Sequence, residues 1–204
     1  MKIYLDNNAT TQVAPEVFEA ITHYLQQEYF NPSSMYSQAK APAKAISDAR
    51  LKIAECLGGV EPAEIVFTSC ATESNNAAIF GAINASRERR HIVTTAVEHP
   101  AVLQTCKEAE RHGCEVSFLP VDRDGQVKVD DYIRALREDT LLVSIIHGNN
   151  ETGVILPVEE LAEIAKETDE RIIFHTDATQ TVGKIPIDIA HSNIDLLSFS
   201  GHKL

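Results

Sequence analysis

What this 204-residue sequence lacks narrows its chemistry before any motif is weighed. It has only four cysteines, Cys56, Cys70, Cys106 and Cys114, with no C-x-x-C spacing among them. That pattern fits neither a zinc site nor a dense disulfide framework, so all four read as reduced thiols. Basic residues are few: 18 Lys and Arg stand against 30 Asp and Glu, a formal net charge of -12. A surface of that sign repels nucleic acid and anionic membranes, neither of which is an expected partner, and a small anionic ligand would have to be held locally. No apolar run approaches membrane-spanning length, and Asp6 falls where a signal peptide would need its apolar core, so the cytoplasm is the expected compartment. Neither G-x-G-x-x-G nor a Walker A lysine pattern occurs, which leaves no nucleotide motif.

With 44% hydrophobic and 24% charged residues, the chain has the balance of a globular protein with a substantial core. From Ile65 onward, short β-branched runs alternate with helical ones, the rhythm of an α/β fold. The expected strands are 65–68, 91–95, 115–119, 141–146, 171–175 and 195–199. Most are apolar without alternation, as buried parallel strands are. Expected helices at 73–85, 100–112, 129–136 and 158–168 lie between them and would serve as crossovers in a mostly parallel sheet with helices on both faces. Upstream, 15–27 and 38–57 read as amphipathic helices separated by an Asn31-Pro32-Ser33-Ser34 turn. The expected organisation is the start of an N-terminal arm (1–14), N-terminal helices (15–58) and a large domain (59–204).

Unusual polar clusters mostly follow directly upon strands: Ser69 to Glu73, Glu98-His99-Pro100, Asn149-Asn150-Glu151, Thr176 to Gln180, and Ser200 to Lys203. Open parallel sheets bind ligands just beyond their strand C-termini, so the clusters converge on one candidate site. In the first, the Ala71 and Thr72 amides and the Thr72 hydroxyl open a helix and can hold a phosphate; a plain N-cap at Thr72 with nothing bound is the alternative, and the one this cluster favours when taken alone. Lys203, just after a buried strand, is placed to form a Schiff base with a cofactor aldehyde, with Ser200 and His202 completing the phosphate cup; a solvated lysine is the alternative. Asp177 ends an apolar strand, where a protonated pyridine nitrogen would be a natural partner for a buried carboxylate; a helix N-cap is the alternative. Gln180 can donate to the ring hydroxyl. His99 can stack on a flat cofactor and move protons near neutral pH, or it is a structural histidine. Asn150 can donate to the ring oxygen or to a substrate carboxylate, or it belongs to an ordinary turn.

On these motifs the sequence resembles the NifS/IscS-type cysteine desulfurases, pyridoxal-phosphate-dependent members of the class-V aminotransferase group. The resemblance runs through Tyr4 to Thr11, Asn31 to Ser34, Thr68 to Asn76, Glu98 to Val102, Asn149 to Gly153, Phe174 to Gln180 with Gly183-Lys184, and Ser198 to Leu204. It implies an aspartate-aminotransferase-like fold and pyridoxal 5′-phosphate as cofactor. It also implies Lys203 as the lysine that carries the cofactor and His99 as the stacking and proton-transfer residue. Asp177 would be the pyridinium partner, Gln180 and Asn150 ring-oxygen or substrate ligands, and Ala71, Thr72, Ser200, Gly201 and His202 the phosphate cradle.

The implied reaction converts L-cysteine to L-alanine, the sulfur passing as an enzyme persulfide to an iron–sulfur scaffold or another acceptor protein. A homodimer is implied as well. Asn7-Asn8, Glu98-His99-Pro100 and Asn149-Asn150-Glu151 look like the NifS/IscS branch rather than the SufS and selenocysteine-lyase branch. Tyr36 and Ala39 depart from the histidine and glycine common in the family, at positions outside the implied site. Family members are roughly twice as long, consistent with a further domain. The sequence is therefore expected to be the N-terminal half, without the C-terminal domain that carries the nucleophilic cysteine, and turnover by these residues alone is not expected. Another class-V reaction, such as transamination or selenocysteine cleavage, and an inactive cofactor-binding fragment are the competing expectations.

Overall fold

The computed structural model describes residues 3–86 and 88–204; Met1 and Lys2, at the start of the expected N-terminal arm, lie outside the described residues, as does Arg87. The chain forms two compact units. One runs up to Phe67 and includes Ile187–His191; the other comprises Thr68–Pro186 and Ser192–Leu204.

The first unit holds helices α1 (Pro15–Gln26) and α2 (Lys40–Cys56). Pro15 starts α1 where a proline costs no hydrogen bond, and a 3-10 turn over Ser37–Ala39 leads into α2. Both helices agree with their sequence patterns to within about two residues. Residues 65–68, expected as a strand, form no strand and join no sheet among the described residues. Val66 and Phe67 are exposed there, and the Arg50 guanidinium lies 5.0 Å from the Phe67 ring centre.

The second unit is a five-stranded, wholly parallel sheet. Its elements run α3 (Ala71–Ala85), β1 (His91–Thr95), α4 (Pro100–Arg111), β2 (Glu115–Leu119), α5 (Val129–Ala135), β3 (Thr140–Ile146), α6 (Val158–Thr168), β4 (Ile173–Asp177) and β5 (Leu196–Ser198). The strand order is β2-β1-β3-β4-β5, with every pairing parallel. The interior strands β1 and β3 are buried along their whole length, including the polar His91, Thr94 and Thr95 of β1 and Thr140 and Ser144 of β3, whereas the edge strand β2 is partly exposed.

On one face, Ile79, Ala82 and Ile83 of α3 and Val102, Cys106 and Ala109 of α4 pack with Ile92 of β1 and Leu142 of β3. Toward the other, Tyr132 of α5 is fully buried and its hydroxyl donates to the Leu161 carbonyl of α6 (2.8 Å). Full burial of Phe174 in β4 contributes about 2–3 kcal/mol through apolar area alone. Two strands are displaced from expectation. Ile172 is still held in a turn by its amide to the Asp169 carbonyl, so β4 begins at Ile173. Asp195 accepts from the Phe174 amide and pairs with Lys166 through its side chain, which leaves β5 as Leu196–Ser198.

Candidate functional site

In the sheet order β2-β1-β3-β4-β5, the chain leaving β1 turns outward to β2, while the chain leaving β3 turns the opposite way to β4. The sheet therefore opens between the C-terminal ends of β1 and β3, the switch point at which open α/β sheets take ligands. Glu98 and His99 follow β1, Asn149 and Asn150 follow β3, Asp177 ends β4, and Ser200 to Lys203 follow β5. Helix α3, which opens at Ala71, packs against β3, β4 and β5. Every residue expected at the site thus stands on a segment at this edge of one compact unit.

Asp177 is 3% exposed. Its Oδ2 accepts from the Asn75 side-chain amide of α3 (2.7 Å) and its Oδ1 from the Thr179 backbone amide (3.0 Å). The carboxylate is thus held by two neutral donors, and no Lys or Arg pairs with it among the described residues. A buried carboxylate so placed is suited to a cationic partner brought by a ligand. Thr179 Oγ1 and Asn75 Oδ1, on either side of it, are buried without a hydrogen-bond partner among the described residues.

Behind Asp177, on the same face of β4, His175 is fully buried between Ser144 Oγ (2.8 Å from Nδ1) and Ser198 Oγ (2.9 Å from Nε2). It ties β3, β4 and β5 together where they deliver their ends to the site. Burial pushes this imidazole down to about 4, with the Asp177 charge acting in the opposite direction.

His99 is the N-cap of α4, and its Nδ1 accepts from the Ala101 amide (3.0 Å). That hydrogen bond assigns the proton of the neutral ring to Nε2. Preceding it, Glu98 is 4% exposed; its Oε1 accepts from the Thr95 hydroxyl (2.7 Å) and from the Ile146 amide of β3 (2.9 Å). Across the opening, the Asn149 side chain donates to the Val97 carbonyl (2.9 Å), and its Oδ1 accepts from the amides of Glu151 and Thr152. Asn149 thereby fixes the turn that presents Asn150. Gly148 lets this turn approach the next one: a β-carbon there would lie 2.6 Å from Thr181 Cγ2.

After β5, Ser200 is buried, and Gly201–Lys203 form a single 3-10 turn with the Lys203 amide on the Ser200 carbonyl (3.2 Å). Lys203 is half-buried, and its Nζ makes no hydrogen bond or ion pair among the described residues. Gln180 is half-buried, and its Oε1 accepts from Lys184 Nζ at 3.4 Å. Gly183, at φ +76°, passes so close to Leu204 that a β-carbon would meet its Cδ2 at 2.9 Å, bringing the 178–184 turn against the end of the Ser200 segment.

At α3 the N-cap is Cys70, whose side chain makes no cap, so Thr72 stands inside the first turn and is exposed rather than serving as the cap. The amides that open this 15-residue helix have no intrahelical acceptor, which suits them to an anion. Glu73 reaches back to the Ser69 hydroxyl and amide (2.6 Å each), and these bonds hold its carboxyl below the ordinary range. Cys70 is exposed, and hydrogen bonding from the Glu73 backbone and from Ser69 lowers its thiol.

Asn75, His175 and Gly148 were not singled out from the sequence. A signal for Asn75 was present: it lies on the buried stripe of α3 with Ile79, Ala82 and Ile83, at i, i+4, i+7 and i+8, where a lone amide requires a partner. For His175 and Gly148 the partners come from other strands and turns, so no local pattern marks them.

Together these features define a doubly wound α/β protein with a polar cradle at its switch point. The family model for class-V aminotransferases matches residues 3–204, and the chain belongs to that family. It is 52% identical over 202 residues to a cysteine desulfurase of Trichormus azollae, covering 99% of this chain and 50% of that protein. It is 50% identical over 203 residues to the cysteine desulfurase IscS of Dictyoglomus turgidum, covering 99% and 51%. Among solved structures, a NifS-like protein superposes with a TM-score of 0.96 at 42% identity over 100% of this chain and 56% of its own. SspA in complex with cysteine gives 0.93 at 41% identity, over 98% and 57%. The chain thus spans about half the length of the curated relatives it matches.

Proposed function

We propose that these residues form the cofactor cradle of a pyridoxal-5′-phosphate-dependent cysteine desulfurase, which takes sulfur from L-cysteine and leaves L-alanine. The observation that carries this reading is the buried Asp177 carboxylate, fixed by Asn75 and Thr179 and paired with no Lys or Arg among the described residues, at the sheet edge that also bears Lys203. The relatives named cysteine desulfurase support the reaction, and the complex of SspA with cysteine supports the substrate.

The residues fit the cofactor. Asp177 would face a protonated ring nitrogen. The opening amides of α3 at Ala71 and Thr72, with the Thr72 hydroxyl, Ser200, Gly201 and His202, would hold the phosphate. Gln180 and Asn150 would donate to the ring oxygen or to the substrate carboxylate. When bound, pyridoxal phosphate supplies an electron sink for charge that develops on the substrate α-carbon.

The chain's own contribution is binding, orientation and proton handling. Lys203, unpaired among the described residues, offers its amine as the point of attachment. His99, its Nδ1 engaged by the Ala101 amide, presents Nε2 as the atom that gives or takes a proton beside the ring. None of the four thiols is assigned as sulfur acceptor: Cys106 and Cys114 are buried, Cys56 ends α2 in the other unit, and Cys70 stands at the opening of the phosphate helix. An iron–sulfur scaffold or another protein as the final acceptor, a homodimeric assembly and a cytoplasmic location belong to the same proposal. It is compatible with them that no described helix is long and apolar enough to cross a membrane and that the net charge is -12.

Lys203→Ala in the full-length protein tests the reading. Loss of the cofactor's attached-state absorbance, together with loss of alanine and sulfide formation from cysteine, is expected. Wild-type rates in that variant would refute it.

A further inference from the structure

The β1–β3 ladder runs from His91↔Thr140 to Thr94↔Ser144 and stops there, because β1 then turns away toward α4 while β3 continues to Ile146. On its other side β3 stays paired with β4 through Ile146↔Asp177. The Ile146 amide therefore faces a gap that β1 no longer fills, and Glu98 Oε1 occupies it at 2.9 Å. The same oxygen accepts the Thr95 hydroxyl, and Thr95 Oγ1 also receives the Val97 amide (3.3 Å), closing the turn that carries His99. Glu98 Oε2 is buried with no hydrogen-bond partner among the described residues. The carboxyl thus takes the place of a strand residue, and every donor it meets is neutral.

We propose that Glu98 is a positioning residue that works as a neutral carboxylic acid, its Oε1 bridging the parting ends of β1 and β3 and so fixing the turn that presents His99. A carboxylate here would leave a charge on a buried oxygen without a donor, which is costly in a protein interior. The titratable groups facing it from the elements packed around it are Asp177 of β4 and the Cys106 thiol of α4; β3 contributes only the Ile146 amide. Burial, reinforced by the Asp177 charge and opposed by the bonds to Ile146 and Thr95, raises Glu98 to about 8. The assignment to His99 rests on the function proposed above, whereas the bridge itself does not.

The test compares wild type, Glu98→Gln and Glu98→Ala in the full-length protein without added cofactor. Glutamine keeps the accepting oxygen and carries no charge, so it should leave hydrogen exchange slow at the Ile146 amide and at the Ala101 amide that caps onto His99. Alanine should accelerate both by roughly tenfold or more, as loss of a bond to a buried amide implies.

The pH dependence has a definite sign. A folded-state value near 8 against 4.5 for an ordinary glutamate means that wild type loses stability as pH rises through that window. The melting midpoint of Glu98→Gln relative to wild type should therefore climb between about pH 4.5 and about 8 and level off above. The proposal is overturned if glutamine accelerates exchange as alanine does, or if the wild-type and glutamine melting curves run parallel across that range. Should alanine fail to fold, the glutamine comparison decides alone. Failure of the protein to take up pyridoxal phosphate would sink the proposed function and leave these cofactor-free readouts standing.

Discussion

Replacing His175 with phenylalanine should destabilise the protein far beyond what a ring-for-ring exchange suggests. The imidazole is fully buried and spends both nitrogens on serine hydroxyls of neighbouring strands, Ser144 at 2.8 Å and Ser198 at 2.9 Å. Phenylalanine would leave both hydroxyls buried without a partner, at about 1–3 kcal/mol each, so a loss of roughly 4 kcal/mol is expected at neutral pH. For proteins of roughly 150–250 residues that corresponds to a fall of about 8–16 °C in melting midpoint, and to proportionately less in a longer protein, whose unfolding entropy is larger.

Two features separate this account from simple overpacking. Removing the hydroxyls too, as Ser144→Ala/His175→Phe/Ser198→Ala, should recover most of the loss, because an apolar cluster leaves nothing unsatisfied. The loss should also depend on pH. Burial holds the folded-state imidazole near 4, below its ordinary 6.5, so the unfolded chain takes up a proton that the folded chain refuses as pH falls through that window. Wild type then loses stability on acidification, up to about 3 kcal/mol at 1.36 kcal/mol per unit, and His175→Phe does not share this component. Its deficit should narrow from about pH 6.5 to about 4. Thermal melts across that range on the full-length protein check the reasoning. It is refuted if the single variant melts with wild type at pH 7, if the triple variant is no better than the single, or if the deficit is constant with pH.

Gly148→Ala should cost about 1–3 kcal/mol, because its methyl would meet Thr181 Cγ2 at 2.6 Å and Ile155 Cδ1 at 3.3 Å. Adding Thr181→Ser, which removes that Cγ2, should restore part of the melting midpoint; no recovery would place the conflict elsewhere. Brief alkylation of the folded protein, followed by mass spectrometry, should label exposed Cys56 and Cys70 and spare buried Cys106 and Cys114. Cys70 should react faster than an ordinary exposed thiol because its hydrogen bonds favour the thiolate, while burial and the nearby Glu98 raise Cys106 to about 12. Modification of Cys106 at the rate of Cys70 would contradict the packing of α4 against the sheet.

Much of the second unit was legible in the sequence because its signals are local. Short β-branched runs without strict alternation marked β1 and β3 as buried parallel strands, and Pro15 and Pro100 marked where helices open. Asp177 and Lys203 stood out for a similar reason: a charge at or shortly after the end of a strand is conspicuous wherever the strand lies. The run at 65–68 has the composition of a strand, yet a strand requires a partner and composition cannot supply one. The alternative reading of Thr72 as an N-cap is not met, since which residue caps α3 depends on where the backbone turns into helix, and that point is Cys70.

By itself, then, the sequence determined the α/β class, the strand-end placement of the polar clusters and, through its motifs, the resemblance to the cysteine desulfurases. All of these rest on neighbours within a few residues along the chain. Only the tertiary structure decided that Asn75 secures Asp177 across 102 residues, that His175 joins three strands and that Glu98 fills the gap where β1 and β3 separate. Those contacts depend on the order of strands in the sheet. A side chain's partner on another strand is set by register and twist, which no local run of residues encodes.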